Sequence, residues 1–249
     1  MVRIILSGCN GKMGQVVTRL AKQNPDVKIV AGIDINDSIK NDYPVFNEAV
    51  KCNVEADVII DFSNPSALDS LLKLAISRKL PLVMATTGFS EAQKKQLRET
   101  SSKIPVFQSA NMSLGVNLLI DLVKKAAKNL ESFFDIEIIE KHHNQKIDAP
   151  SGTALALADA INDVLEHKQE YVYDRHARRM KRSKKEIGIH AVRGGTIVGE
   201  HSVIFAGNDE IIELKHTAMS KDIFAVGAIK AAIFLYDKQP GLYSMNDLF

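Results

Sequence analysis

The sequence predicts an α/β chain in two parts, a parallel sheet wound with helices and then an α+β part on a mixed or antiparallel sheet. Two observations predict it. Up to about residue 112, short apolar runs rich in β-branched residues alternate with segments of helical period, as in strands joined by crossover helices. From residue 187 to 216 the period falls to two, and the runs are linked by short glycine-bearing stretches with no helix between them. The expected division is residues 1–112 with 222–249 in one domain and 113–221 in the other.

Val2 to Ser7 suits a strand buried on both faces. It leads into Gly8-Cys9-Asn10-Gly11-Lys12-Met13-Gly14, followed by Val16, Val17, Leu20 and Ala21 at helical spacing. Strand, glycine turn and helix open a Rossmann-type dinucleotide unit, because phosphate reaches backbone N–H groups only where no side chain intervenes. The spacing G-x-x-G-x-x-G differs from the commoner G-x-G-x-x-G, so the context carries the reading. Val27 to Ile33 makes the second strand. Asp34 ends it twenty residues after Gly14, where a carboxylate would accept from the adenosine ribose.

Asp57 to Phe62 is the next strand, and Ser63 or Asn64 with Pro65 starts a helix through about Ser77. Pro81 to Ala85 is another strand, ending in Thr86-Thr87-Gly88. Ser90 with Gln93 forms a capping box for the following helix. Ile104 to Gln108 ends in Ser109-Ala110-Asn111-Met112. Ligands of such sheets bind beyond the carboxyl ends of the strands, where Gly8, Asp34, Ala85 to Thr87 and Ser109 to Met112 all fall.

Ser113-Leu114-Gly115 opens a long apolar helix through about Leu130, and Phe133 to Ile139 alternates enough to suggest a strand. Residues 140 to 154 then read E-K-H-H-N-Q-K-I-D-A-P-S-G-T-A. His142 and His143 exchange protons near neutral pH, and Lys146 can hold a carboxylate or donate a proton. Ser151 and Thr153 are caps for the apolar helix that begins near Ala154, so the N–H groups at its start are available to an anion. These are the parts needed to grip an acidic small molecule and protonate it. A metal site is not expected, since His142 and His143 point to opposite faces of a strand and no carboxylate or cysteine stands at ligand spacing.

From Arg175 to Lys185, seven of eleven residues are Lys or Arg. No aromatic residue is interleaved with them, and a solvated loop is the expectation rather than a nucleic-acid patch. Ile187 to Val192, Thr196 to Ala206 and Glu210 to His216 are read as three hairpin-linked strands, joined by Arg193-Gly194-Gly195 and Gly207-Asn208-Asp209. Ile223 to Tyr236 is a last amphipathic helix.

Length and composition narrow the function classes. A chain of 249 residues can build a substantial core, and a formal charge of +2 does not point to nucleic acid as the main partner. Two cysteines make no disulfide framework and suit a reducing cytoplasm. Met1-Val2-Arg3 runs straight into a strand without the features of a signal peptide, and no apolar run is long enough to span a bilayer.

With both motifs in view, the sequence resembles the 4-hydroxy-tetrahydrodipicolinate (dihydrodipicolinate) reductase family. The likeness runs almost end to end: G-C-N-G-K-M-G at 8–14, A-T-T-G-F at 85–89, S-A-N-M-S at 109–113, the 140–154 stretch, and I-G-I-H-A-V-R-G-G-T-I-V-G-E-H at 187–201. It implies reduction by NADH or NADPH of a cyclic conjugated imine bearing two carboxylates, in lysine and diaminopimelate biosynthesis, by a homotetramer. It implies that His142 is the general acid and Lys146 a second proton donor or charge stabiliser. It also implies that His143, Lys146, Ser151, Gly152 and Thr153 hold the carboxylates. The cofactor would contact Gly8, Cys9, Asn10, Gly11, Lys12, Met13, Asp34, Ala85, Thr86, Thr87, Ser109, Ala110, Asn111 and Met112. Ile35 stands after Asp34 where relatives that bind a 2′-phosphate often carry arginine. The competing readings are a dinucleotide-sensing regulator without turnover and another two-domain dehydrogenase. A sensor would not need His142, Lys146 and the Ser-Gly-Thr cradle together.

Overall fold

The computed structural model describes residues 1–176 and 178–249; Ala177, inside the basic run, lies outside the described residues. The chain forms two compact units, Met1–Leu114 with Asp222–Phe249, and Gly115–Lys221.

The first unit is a seven-stranded sheet. Its strands are β1 (Val2–Ser7), β2 (Val27–Ile33), β3 (Val45–Phe46), β4 (Val58–Asp61), β5 (Leu82–Met84), β6 (Pro105–Gln108) and, after the second unit, β12 (Gly241–Tyr243), in the order β12-β6-β5-β4-β1-β2-β3. Every pair is parallel. Alternate residues of each strand face opposite layers. Ile4 and Leu6 of β1 meet Val17 and Ala21 of α1 (Lys12–Ala21) and the alanine-rich side of α6 (Asp222–Leu235). Ile5 of β1 faces the other layer, made by α2 (Leu68–Arg78) and α3 (Glu91–Thr100). The expected capping box of Ser90 and Gln93 starts α3, and Asn64 caps the short 3₁₀ turn Pro65–Ala67 that leads into α2. α6 differs from the amphipathic expectation: Ala225, Gly227, Ala228, Ile229, Ala231, Ala232 and Leu235 are all buried.

Winding runs one way from β1 through β2 and the other way from β4 through β6, so the strand order reverses between β1 and β4. That reversal opens a crevice at the carboxyl ends of the strands.

In the second unit, α4 (Leu114–Leu130) and α5 (Gly152–Asn162) cover one face of a five-stranded sheet ordered β11-β10-β7-β9-β8. The strands are β7 (Asp135–His142), β8 (Glu170–Val172), β9 (Glu186–Arg193), β10 (Gly199–Ala206) and β11 (Ile211–Ala218). Ile136, Ile138, Ile187, Ile189, Val203 and Phe205 pack there against Leu119, Val123, Leu157 and Ile161.

The structure also corrects the expected strand pairing in this sheet. β10 and β11 form an antiparallel hairpin, but β9 and β10 are not neighbours: β7 lies between them, parallel to β9 and antiparallel to β10. The Arg193-Gly194-Gly195 link therefore passes the end of β7 instead of making a tight turn, and Gly194 N–H donates to the His142 carbonyl at 2.9 Å. A strand whose paired residues lie 51 positions upstream, as Ile136 does from Ile187, leaves no trace in the local pattern.

On the opposite face of this sheet, the basic run is held by carboxylates. Arg175 pairs with Glu137 and Glu186 (3.0 and 2.5 Å), and Arg182 with Glu137 and Asp135 (2.9 and 3.1 Å). The expected solvated loop is thus partly docked. Burial would push the Glu137 carboxyl up, but Arg182, His190 and Arg175 outweigh it and hold it below the usual range.

Candidate functional site

In the first unit, Gly8 follows β1 with φ +74, and a Cβ there would meet the Phe62 carbonyl oxygen at 2.6 Å. Gly8 lets the chain turn sharply beside β4. The turn closes through Gly11 N–H donating to the Gly8 carbonyl (3.1 Å), and α1 begins with no side-chain cap and no acidic residue in its first turn. An anion suits such a helix start.

A cleft of about 650 Å³ lies against this turn, lined by Gly8, Asn10, Gly11, Asp34, Ile35 and residues of the loops after β3 and β4. The Asp34 carboxylate is oriented by two backbone donors, Asn10 N–H and Asn36 N–H, both at 2.9 Å. Each oxygen keeps capacity for a further donor. Ile35 is 93% exposed at the rim. The Asn10 side-chain amide donates to the Asn36 carbonyl and accepts from Asn41 Nδ2 at 2.7 Å, tying the glycine turn to the loop after β2. Cys9 departs from a contact role for its side chain: the thiol is fully buried, and burial with the nearby Asp34 charge pushes it up to about 12. Lys12 is exposed at the start of α1.

A second cleft of about 310 Å³ in the same unit is lined by Met13, Ala85, Thr86, Thr87, Ala110, Asn111 and Met112, with Phe62, Ser63 and Phe224. Ser109 braces its wall, Oγ donating to the Asn111 carbonyl at 2.8 Å. Sequence reasoning missed Asp61, the buried end of β4. Its carboxylate accepts from Thr86 Oγ1 (2.6 Å) and Ser63 Oγ (2.5 Å), so one side chain organises two loops. The uncapped helix start, the open face at Gly11 and the bounded clefts fit a dinucleotide.

The second unit gathers the central motif at the end of β7. Glu140 and His142 share the buried face, as i and i+2 on a strand must. His142 Nδ1 lies 2.6 Å from Glu140 Oε2. Arg193 of β9 grips both Glu140 oxygens at 2.7 Å, and Ser151 N–H donates to Oε1 at 3.0 Å. Burial would push the Glu140 carboxyl up, but Arg193, His142 and the Ser151 N–H together hold it below the usual range. His201 of β10 stacks edge-on against His142 at 5.1 Å, and its Nε2 lies 2.9 Å from Ser151 Oγ. Burial and the neighbouring His142 drive His201 down to about 4, so it is neutral at physiological pH.

The remaining motif residues follow on one loop. Lys146 Nζ donates to Asp148 at 2.8 Å, and His143 is half-buried nearby in sequence. Ser151 is the N-cap of α5: its Oγ accepts from Ala154 N–H at 3.2 Å and lies 2.9 Å from His201 Nε2, and the residue is buried. Gly152 is exposed, with nothing within 4 Å of its Cβ position, and Thr153 is half-buried beside it. Gly152 and Thr153 are thus the accessible residues at this helix start. Sequence reasoning missed Glu140, Arg193 and His201; strand alternation back from His142 could have found Glu140, whereas Arg193 and His201, more than 50 residues from it in sequence, left no local signal.

Among the described residues no group of three or more His, Cys, Asp or Glu side chains could hold a metal ion. No helix is long and apolar enough to cross a membrane.

Comparison with known proteins agrees with this construction. Residues 2–112 match the family model described as dihydrodipicolinate reductase, N-terminus, and residues 115–249 match its C-terminus counterpart. A 4-hydroxy-tetrahydrodipicolinate reductase of Caldanaerobacter subterraneus subsp. tengcongensis is 58% identical, covering 100% of this chain and 98% of the relative. One from Clostridium tetani is 54% identical over 99% and 96%. The dipicolinate-bound dihydrodipicolinate reductase of Paenisporosarcina sp. TG-14 superposes with a TM-score of 0.83 at 26% identity, over 99% of both chains. The chain belongs to the dihydrodipicolinate reductase family.

Proposed function

We propose that this chain reduces the cyclic conjugated imine derived from 4-hydroxy-tetrahydrodipicolinate to tetrahydrodipicolinate, using NADH in preference to NADPH. Family membership carries the reaction class, an oxidoreductase step of lysine and diaminopimelate biosynthesis. The observation that carries the chemistry is His142, held at Nδ1 by a buried carboxylate beside an exposed helix start and a lysine. A silent sensor has no use for that arrangement.

Gly8 to Met13, with Asp34, would hold the adenosine and pyrophosphate end of the dinucleotide. Ala85 to Thr87 and Ala110 to Met112 would line the nicotinamide end. When bound, a reduced nicotinamide would supply hydride for the ring carbon conjugated with the imine. His142 then donates its proton to the neighbouring ring carbon, where the electron pair accumulates. Lys146, on releasing Asp148, and the N–H groups of Gly152 and Thr153 hold the two carboxylates, with His143 beside them. Fixing a dianion at both ends orients its ring before reaction. The relative described as dipicolinate-bound supports a planar dicarboxylate as the ligand class.

Asp34 favours a ribose with free hydroxyls, since a 2′-phosphate would bring like charge to it and exposed Ile35 offers no cation. The two free cysteines support a reducing cytoplasm. The apolar side chains Ile139 and Ile204 on the sheet face opposite α4 and α5 support assembly into a homotetramer through that face. Engagement of Arg175 and Arg182 by carboxylates argues against nucleic acid as a partner.

The test is loss of reduced-nicotinamide absorbance on addition of the enzymatically generated 4-hydroxy compound. Consumption no faster than without protein would refute the reading.

A further inference from the structure

This inference deepens the reading of His142 as the acid and rests on it. An imidazolium carries two N–H groups, and the protein must determine which one is delivered. An ionised carboxylate only accepts, so the ring atom facing it must carry a proton. Glu140 is fully buried and faces Nδ1 at 2.6 Å. It is fixed by the two 2.7 Å bonds from Arg193 and by Ser151 N–H. Among the described residues, nothing bonds Nε2. The closest approach of a glycine to it is at Gly199, where a Cβ would come within 3.1 Å of that nitrogen. Gly199 has no positive φ, and a methyl group there would crowd Nε2. The ring is anchored at one nitrogen and carries no hydrogen bond at the other.

We propose that Glu140 and Arg193 are positioning residues that reserve the Nδ1 proton of His142, so that the proton delivered to the substrate is the one on Nε2, with Gly199 leaving that nitrogen room. On delivery the Nε2–H bond breaks, its electron pair stays on the ring, and the neutral imidazole keeps Nδ1–H on Glu140. Water then reloads Nε2. Arg193 has a specific part in this: a buried carboxyl without it would take up a proton and offer O–H to Nδ1, reversing the tautomer. The other charged or titratable groups around the ring are neutral His201 from β10, His216 paired with it on β11, and Lys146 and Asp148 on the following loop. Lys141 points to the opposite face, where it pairs with Glu200.

The decisive measurement needs no turnover. In ¹⁵N-histidine-labelled full-length protein at alkaline pH, the His142 resonances are those missing from His142→Gln. The expected pattern is protonated Nδ1 and bare Nε2, opposite to the tautomer that a free imidazole side chain favours. Kinetics supply the second arm. Glu140→Gln keeps the shape and removes the charge, so kcat should fall roughly 10- to 100-fold, part of what a general acid contributes. The descending limb of kcat against pH should move to lower pH, because the imidazolium has lost its anion. NADH affinity should stay parental, and Glu140→Asp should recover part of the rate. A merely structural ion pair would move neither the tautomer nor the pH profile. An Nε2–H tautomer in the parent overturns the proposal, as does a folded Glu140→Gln with parental kcat and pH profile; if that variant does not fold, the parent's tautomer decides alone. Full activity in His142→Gln would instead defeat the acid reading itself, whereas an essential His142 with the Nε2–H tautomer defeats only this inference.

Discussion

Replacing Gly14 with alanine puts one methyl group where the structure has no room. Its Cβ would lie 2.1 Å from the Gly8 carbonyl oxygen and 2.6 Å from two Cys9 backbone atoms. Ordinary contact needs roughly 3.5 Å, and all three neighbours are backbone, so α1 must retreat from the turn by on the order of 1 Å. That retreat pulls at buried Val17 and at the 2.7 Å bond between Thr18 and Tyr43. Overpacking of this kind costs about 1–3 kcal/mol, a fall in Tm of roughly 2–12 °C for a chain this long. The glycine turn loses its geometry as well, and NADH affinity should drop by about tenfold or more, since a misplacement near 1 Å can cost on the order of 100-fold. Gly11→Ala is the matched control. Its Cβ meets only the Gly8 oxygen at 3.3 Å, so Tm should barely move while NADH affinity falls, because the methyl group stands in the mouth of the cradle. The assays are thermal denaturation and fluorescence titration with NADH. Parental affinity in Gly14→Ala would refute the assignment of this turn to the pyrophosphate.

Four further outcomes are expected. His142→Gln should slow the chemical step by roughly 10²- to 10⁴-fold in single-turnover absorbance measurements, with NADH affinity unchanged. Lys146→Ala should raise KM and lower kcat together, because the cation holds substrate as well as developing charge; steady-state kinetics matching the parent in both would place Lys146 outside the site. Side-by-side kcat/KM values at one ionic strength should favour NADH in the parent and shift toward NADPH in Asp34→Ala, Ile35→Arg. The Glu137 and Glu140 carboxyls are held below their ordinary value of 4.5 in the folded chain, so their stabilisation is full above that pH and is lost as pH falls toward the depressed folded values. Chemical denaturation as a function of pH should show stability falling from about pH 5 downward, and less so in Glu137→Gln.

The parallel sheet was legible because each strand and its crossover helix are contiguous in sequence, and the glycine turn and Asp34 mark one edge of it. The elements that escaped, β3, β8 and β12, span two or three residues, too few to show a period. The mixed second sheet was expected, but the partner of β9 was misread, for another reason. Two glycines after Arg193 look like a hairpin, but neighbours in a mixed sheet are chosen by what the whole sheet buries, and β7 enters between β9 and β10. The same insertion explains the site. His142 and Lys146 could be picked out by their chemistry, whereas Arg193 reaches Glu140 only because β9 is drawn alongside β7, and His201 arrives from the other side with β10. Asp61 was passed over as the polar end of a strand; its role as a brace for Thr86 and Ser63 depends on loops that meet only in the folded chain.

The return of residues 222–249 to the first unit has a consequence for biosynthesis. Ribosomes deliver about 5–20 residues per second, and domains fold as units when their last residue has emerged. The first 112 residues make six of the seven strands of the parallel sheet, yet the layer over Val83 and Phe107 belongs to α6, which emerges more than 100 residues later. Gly115–Lys221 is complete before that. The nucleotide-binding half therefore starts first and finishes last, and throughout the interval α1 covers its share of that face while the part around Val83 and Phe107 has no helix to bury it. A gene fragment cut at residue 112 would make that interval permanent.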